Sequence, residues 1–414
     1  MDDLQRRFRR LDRVTTPNLW TEAVARSVAV QAVPRRAFVP AYGLIAVALL
    51  LAALAGTIAM GALLDRNQPD ALVEYDNGML TLNAGCGTVV GIDPTTVQPR
   101  ELSSGRAGCR EGFGTAEWSS DGRWMAYLVA DREDRGNDAW LYDAESGVAR
   151  LLPGCASTQC VEVDISPDGS LATFLTVRVE ESDDANRVVQ FFGLGLVETD
   201  SGVVHAIDLP GLAGRPSFSP DGDQIAITLQ GGQSGVHVLD VADVMEGTFP
   251  QDSLVFGIVE AAKATWSPNG AWIAAEVTSY RQASCCTPSL WVVRPDGTEA
   301  RPLTSPLGGL GDRAPSWSPD STTIAYVADT EQGAELRTVP IDGGSVTRLR
   351  NMECCGWIGQ PAWSPDGEWI AFAQGGDDQG PEVSGIVIVR PDGSEPRLVS
   401  ELTADPAWQP IPRD

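Results

Sequence analysis

Trp363-Ser-Pro-Asp-Gly-Glu-Trp-Ile-Ala-Phe372, with Ile386-Val-Ile-Val-Arg-Pro-Asp-Gly393 and Arg397-Leu-Val399 behind it, decides the fold of this 414-residue chain. Apolar runs flank a Pro-Asp-Gly turn twice in succession, the pattern of two β-hairpins. In such a turn Pro presets φ at the first corner, Asp bonds back to the backbone, and Gly supplies a positive φ. Working outward, the first hairpin recurs at Trp118-Ser-Ser-Asp-Gly, Ile165-Ser-Pro-Asp-Gly, Phe218-Ser-Pro-Asp-Gly, Trp266-Ser-Pro-Asn-Gly and Trp317-Ser-Pro-Asp-Ser, with a truncated copy at Trp408-Gln-Pro. Successive copies start 45 to 53 residues apart, enough for four short strands and their turns. The expectation is an all-β, seven-bladed β-propeller of four-stranded antiparallel blades.

Asp121, Asp168, Asp221, Asn269, Asp320 and Asp366 each occupy the same turn position. One acid per copy is a structural pattern, unlike the paired carboxylates of a glycosidase. The last copy stops after its first strand, so residues 72–104 are expected to supply three more strands and close the last blade with residues 406–410. Trp-Ser-Pro-Asp-Gly-x-x-Ile-Ala-Phe followed by Val-x-Pro-Asp-Gly-x-x-x-Arg-Leu resembles the TolB-type, WD-like propeller repeat, over nearly everything after residue 75. The resemblance implies a propeller close to TolB, in which six blades are usual; the copies here count to seven.

Ahead of the repeats, residues 37–64 carry no charged side chain. The stretch 41–64 is about 36 Å long as a helix, enough to span a bilayer core. A cleaved signal peptide fits less well, because the segment before it is too long. Residues 1–36 hold eight Arg against four acids, which by the positive-inside bias places them in the cytoplasm. The expected order is a basic, amphipathic, short-helical cytoplasmic segment at 1–36 and a single transmembrane signal-anchor helix at 37–64. A linker at 65–74 and an extracytoplasmic propeller at 75–414 follow. With −26 overall, residues 37–414 carry −30, a surface that repels nucleic acid.

Cys86, Cys109, Cys155, Cys160, Cys285, Cys286, Cys354 and Cys355 all follow the apolar segment, in a compartment that permits disulfides. Their spacing is poor for zinc, so no metal and no cofactor is expected. The expected bonds are Cys86 with Cys109, Cys155 with Cys160, and Cys285-Cys286 with Cys354-Cys355. All eight map to the loops opposite the Pro-Asp-Gly turns, which makes that rim the expected binding face, with Phe113, Tyr280 and Trp357 as candidate contacts. Acidic runs such as Asp131–Asp134 read as solvated loops rather than calcium sites. No Gly-x-Ser-x-Gly elbow is present, and His205 and His237 sit in ordinary strand patterns. The expectation is therefore a non-catalytic, membrane-anchored module that binds an envelope protein, peptide or glycan. The alternatives are a transmembrane sensor, arranged like an anti-sigma factor, with residues 1–36 docking a cytoplasmic protein, and, further behind, a propeller hydrolase or lyase.

Overall fold

The computed structural model describes residues 75–83, 88–103, 116–130, 137–155, 159–181, 188–231, 233–257, 260–278, 287–305, 309–352, 356–376 and 384–413. The expected anchor at 37–64 and the segment 1–36 lie outside them. So do Phe113, Tyr280 and six of the cysteines: Cys86, Cys109, Cys285, Cys286, Cys354 and Cys355. Among the described residues no helix is long and apolar enough to cross a membrane.

Each repeat copy builds one hydrogen-bonded turn. The Ser hydroxyl (Ser119, Ser166, Ser219, Ser267, Ser318, Ser364) donates to the side-chain oxygen of the Asp or Asn two residues on, at 2.5–2.8 Å. The same hydroxyl accepts the backbone N–H five residues on, at 2.8–3.0 Å. Each of these serines is buried, so the turn satisfies its own polar groups without water. The following residue takes a positive φ in every copy, from +68° to +79° at the glycines and +60° at Ser321. Ser321 offsets its missing glycine with a hydroxyl that accepts the Asn269 N–H at 3.0 Å. Ser120, standing where the other copies have Pro, donates its N–H to Pro167 O of the next turn at 2.8 Å.

Between these turns the apolar runs pair as antiparallel strands. Strands 75–83, 89–92 and 99–103 join Pro406–Pro412 in one four-stranded sheet. Next comes an eight-stranded sheet made of two four-strand groups, linked at Asn137 and Cys160. Sheets of five, four, four and five strands follow. Only one short helix, Val241–Met245, interrupts the strands among the described residues.

The first strand of every group lies innermost, and each touches the next. Ala116–Trp118 meets Gln159–Ile165, then Ser217–Phe218, Glu260–Trp266, Gly309–Trp317, Ala362–Trp363 and Pro406–Pro412, which returns to Ala116–Trp118. The fold is thus an all-β propeller closed by strands from both ends of the repeat region. Leu80 lies opposite Trp408 in that closing sheet. Leu80, Leu82 and Ile92 also pack on Trp369, Ala371, Ile386 and Ile388 of the preceding sheet, and each such side chain contributes roughly 1.5–3 kcal/mol by its burial. Inner-strand tryptophans tie neighbours together. The indole N–H of Trp317 donates to Thr265 O and that of Trp408 to Ala362 O, both at 3.1 Å.

Candidate functional site at the centre of the ring

Five successive inner strands carry one residue more than their partners. The extra residue falls between Val161 and Val163, between Ala213 and Ser217, between Ala261 and Ala264, between Arg313 and Ser316, and between Ile358 and Ala362. A bulge bends its strand and re-aims a side chain. Glu162 and Ala314 accordingly adopt φ near +53° and +55°, a backbone state that costs a non-glycine residue on the order of 1 kcal/mol or more and gathers at functional positions. The bulges sit about three residues before the first residue of each copy, and the polar residues there are Glu162, Arg215, Lys263 and Gln360, with Asp405 at the same place before Trp408.

These side chains reach across the ring. Arg215 pairs with Glu117, passing over the intervening strand Gln159–Ile165. Lys263 Nζ donates to Gln360 Oε1 at 2.8 Å, passing over Gly309–Trp317. The Gln360 N–H donates to Asp405 Oδ1 at 3.2 Å, and the Phe218 N–H to Asp164 Oδ2 at 2.7 Å. Arg313 forks onto both carboxylate oxygens of Asp329 (2.6 and 3.1 Å) and donates to Ile358 O at 3.1 Å. Contacts between non-adjacent inner strands can only pass through the interior of the ring. A cross-braced layer of charge therefore fills it.

Ionisation follows from that enclosure. Burial, and then the Glu117 carboxylate beside it, push the Asp164 carboxyl up to about 7, against the pull of Arg215 and of the Phe218 and Ile165 amides. Burial works against charge on Arg215 too, but the carboxylates of Glu117, Glu162 and Asp164 outweigh it and hold the guanidinium above its usual range. Lys263 goes the other way: burial and the neighbouring Arg215 lower it, although Glu162, Asp405 and Glu276 oppose the shift. Glu276 is raised by burial, with the Ala314 amide, Lys263 and Arg313 pulling it back. Carboxyls raised and an amine lowered within one enclosure are the kind of perturbation that gathers at functional sites.

Above this layer, at the ends of the strands remote from the Ser-Pro-Asp-Gly turns, lies a set of exposed apolar side chains. Leu212, Trp357 and Leu402 stand six residues before their repeat aromatic and Leu310 seven; they are 45, 43, 40 and 65 % exposed. Three or four residues of chain separate them from the charged layer. Trp357 is thus the one expected contact that the described residues include. Its indole lies across Gly375, where a Cβ would come within 2.5 Å of Nε1. On the same rim Cys155 and Cys160 are joined in a disulfide, and the Asn137 side chain donates to Cys160 O at 3.1 Å. His237 is buried, held by Ser253 Oγ and Gln233 O, and the partly exposed His205 is held by Met245 O and Glu198; neither is hydrogen-bonded to the charged layer. Among the described residues no group of His, Cys, Asp and Glu is arranged to hold a metal ion.

The residues that sequence reasoning missed are those of the charged layer. A signal was there: Glu162, Arg215, Lys263 and Asp405 recur three residues before the residue that opens the copy, Ile165, Phe218, Trp266 or Trp408.

Comparison with known proteins agrees with the repeat and corrects one expectation. Residues 194–411 match the model of the TolB beta propeller domain. A TolB homolog of Chlorobium luteolum is 32 % identical over 114 residues, 27 % of this chain and 23 % of that protein. An uncharacterized peptidase of Bacillus subtilis, YuxL, is 28 % identical over 120 residues, 28 % of this chain and 17 % of that one. The matched stretches thus span less than a quarter of both relatives. A puromycin-hydrolyzing peptidase of Mycobacterium tuberculosis shares the fold with a TM-score of 0.56 at 15 % identity, over 81 % of this chain and 55 % of that one. Peptidases among the relatives and neighbours overturn the expectation that the chain is no enzyme. The missing nucleophile elbow excluded one chemistry, not catalysis. With its repeat matched over more than half its length, the chain belongs to the TolB β-propeller domain family.

Proposed function

We propose that this chain is a seven-bladed propeller, anchored in the cell membrane by residues 37–64 with its N-terminus in the cytoplasm, that docks a segment of an envelope polypeptide at the mouth of its central ring. Seven inner strands in cyclic contact support the blade count. The docking reading rests on one observation: Leu212, Leu310, Trp357 and Leu402 are exposed around a floor of fixed charge. Exposed apolar side chains gathered over buried polar groups mark interaction surfaces. Three leucines with one tryptophan suit a polypeptide better than a glycan, which would stack on several aromatic rings. Glu117, Glu162, Asp164 and Asp405 outnumber Arg215 and Lys263 on the floor, and the chain carries −26 overall. A segment that combines apolar and basic side chains is therefore the complementary occupant.

Site-specific photo-crosslinking in intact cells tests this. A crosslinker at position 310 or 402 should capture one envelope protein, and at position 148, on an outermost strand, should not. Leu310→Asp should abolish capture from 402. Capture of glycan alone, or equal capture from 148, defeats the reading. Fractionation of a variant lacking residues 37–64 tests the anchor: it should leave the membrane fraction. A signalling phenotype lost on deleting residues 1–36, with capture retained, would instead favour the sensor.

A further inference from the structure

Of the 30 basic side chains in the chain, 29 are arginine, and the single lysine is Lys263. Arginine and lysine both carry charge, but only lysine can give up its proton and present a nucleophilic lone pair. Where this chain needs a cation on a surface, in an ion pair or over an aromatic ring, it uses arginine. It departs from that habit once, at the centre of the ring.

The surroundings of Lys263 disfavour its charged form through burial and Arg215, against the opposing carboxylates of Glu162, Asp405 and Glu276. A parallel bridge sets it beside Arg215 on the neighbouring inner strand, and Arg215 is already engaged with Glu117. The Lys263 ammonium donates to a neutral acceptor, Gln360 Oε1, at 2.8 Å. Among the described residues it makes no ion pair within 4.0 Å. Its bulge places Ala262 and Lys263 together opposite Glu276. An arginine there would add a second permanent charge next to Arg215 in a partly desolvated space. Lysine, unlike arginine, can relieve that repulsion by giving up a proton, and burial together with Arg215 lowers its pKa.

We propose that Lys263 is a nucleophilic amine that captures a carbonyl compound, an aldehyde or ketone, as an imine in the ring interior. The neutral Nζ lone pair adds to the carbonyl carbon while the carbonyl π pair moves to oxygen. Transfer of one proton from nitrogen to that oxygen gives the carbinolamine. Loss of the hydroxyl with one further proton, as water, leaves the carbon–nitrogen double bond, with no oxidant or reductant consumed. Glu276, opposite the Lys263 bulge and raised by burial, supplies the acid that water loss requires.

The full chain contains two kinds of amine, its α-amine and Lys263, so labelling is read cleanly. Protein is treated with butanal and sodium cyanoborohydride at pH 7, and reductive alkylation is followed by peptide mass spectrometry beside Nα-acetyl-lysine amide in the same solution. Lys263 should be alkylated faster than the reference amine, the direction that a lowered amine pKa gives at that pH. Its rate should rise with pH through a midpoint below that of the reference. Lys263→Arg should remove this label and leave only the α-amine. Arg215→Gln should slow labelling at pH 7 by moving the midpoint back up, a change that a merely structural lysine would not show. Alkylation no faster than the reference amine, or a midpoint equal to it, overturns the proposal. The wild-type measurement decides even if a variant fails to fold. None of these readouts needs the docked polypeptide, so this inference and the docking reading can fail separately.

Discussion

Asp164→Asn should stabilise the propeller at alkaline pH and leave it nearly unchanged in acid. The Asp164 carboxyl lies at about 7 in the folded chain against 3.8 for the free side chain, so the folded state holds this proton more tightly than the unfolded state. Its contribution is fully present below pH 4 and is lost as pH rises through about 7. At 1.36 kcal/mol per tenfold change, roughly 4 kcal/mol would oppose folding at pH 8 if Asp164 titrated alone. Joint titration with Glu117 and the partial exposure of Asp164 cut this to about 2 kcal/mol. For a domain of this size that is a gain of about 3 °C in Tm for the variant. Asparagine keeps an oxygen to accept the Phe218 N–H, and Arg215 keeps Glu117. Differential scanning calorimetry of both proteins from pH 4 to pH 8 measures the effect as the difference between two curves, in which all shared titrations cancel. A Tm difference that does not change with pH, or a variant less stable at pH 8, refutes the reasoning.

Two glycines with nearly the same backbone should respond very differently to alanine. Gly122 has φ +68° and its Cβ would lie 1.8 Å from Pro410 O, whereas Gly147 has φ +70° with nothing within 4 Å. Gly147→Ala should therefore cost about 1 kcal/mol, the left-handed penalty alone, while Gly122→Ala should cost several times more and open the closing sheet, both read by urea denaturation. Equal costs would show that Pro410 can move aside. Replacing Cys155 and Cys160 together by serine should cost about 2 kcal/mol, as a loop this short implies; reductant should lower the wild-type Tm by the same amount and leave the variant's unchanged.

The turns were legible because their chemistry is local. Pro, Asp and Gly each act within four residues, so Asp168 or Gly367 could be assigned from neighbours in sequence. The buried serine beside them, accepting an N–H five residues on, was not assigned, since its role shows only once both strands are in place. Closure by the N-terminal strands followed from counting, because a lone final strand leaves an unpaired edge. The charged layer escaped notice for a geometric reason. An extra residue in five of the inner strands breaks the two-residue alternation where Glu162, Arg215, Lys263 and Gln360 stand, and a reading by period takes such a stretch for the end of a strand. Attention to the residue that opens each copy also hid the one three before it. Catalysis was set aside on a missing nucleophile elbow, two histidines in ordinary strand patterns and acids that recur as turn residues, and the lesson of Lys263 is that a residue used once can say more than a motif not found.

Closure has a cost in time. The Thr81 hydroxyl donates to Ala407 O at 2.9 Å across 326 residues of chain, so the last sheet cannot form until nearly the whole chain has been synthesised. Until then strand Tyr75–Asn83 keeps an edge with no partner, open to pairing with any extended segment nearby. Contacts of such long range are formed slowly. The rate at which Pro406–Pro412 arrives thus sets how long each new molecule is exposed to strand exchange with a second, equally unfinished copy.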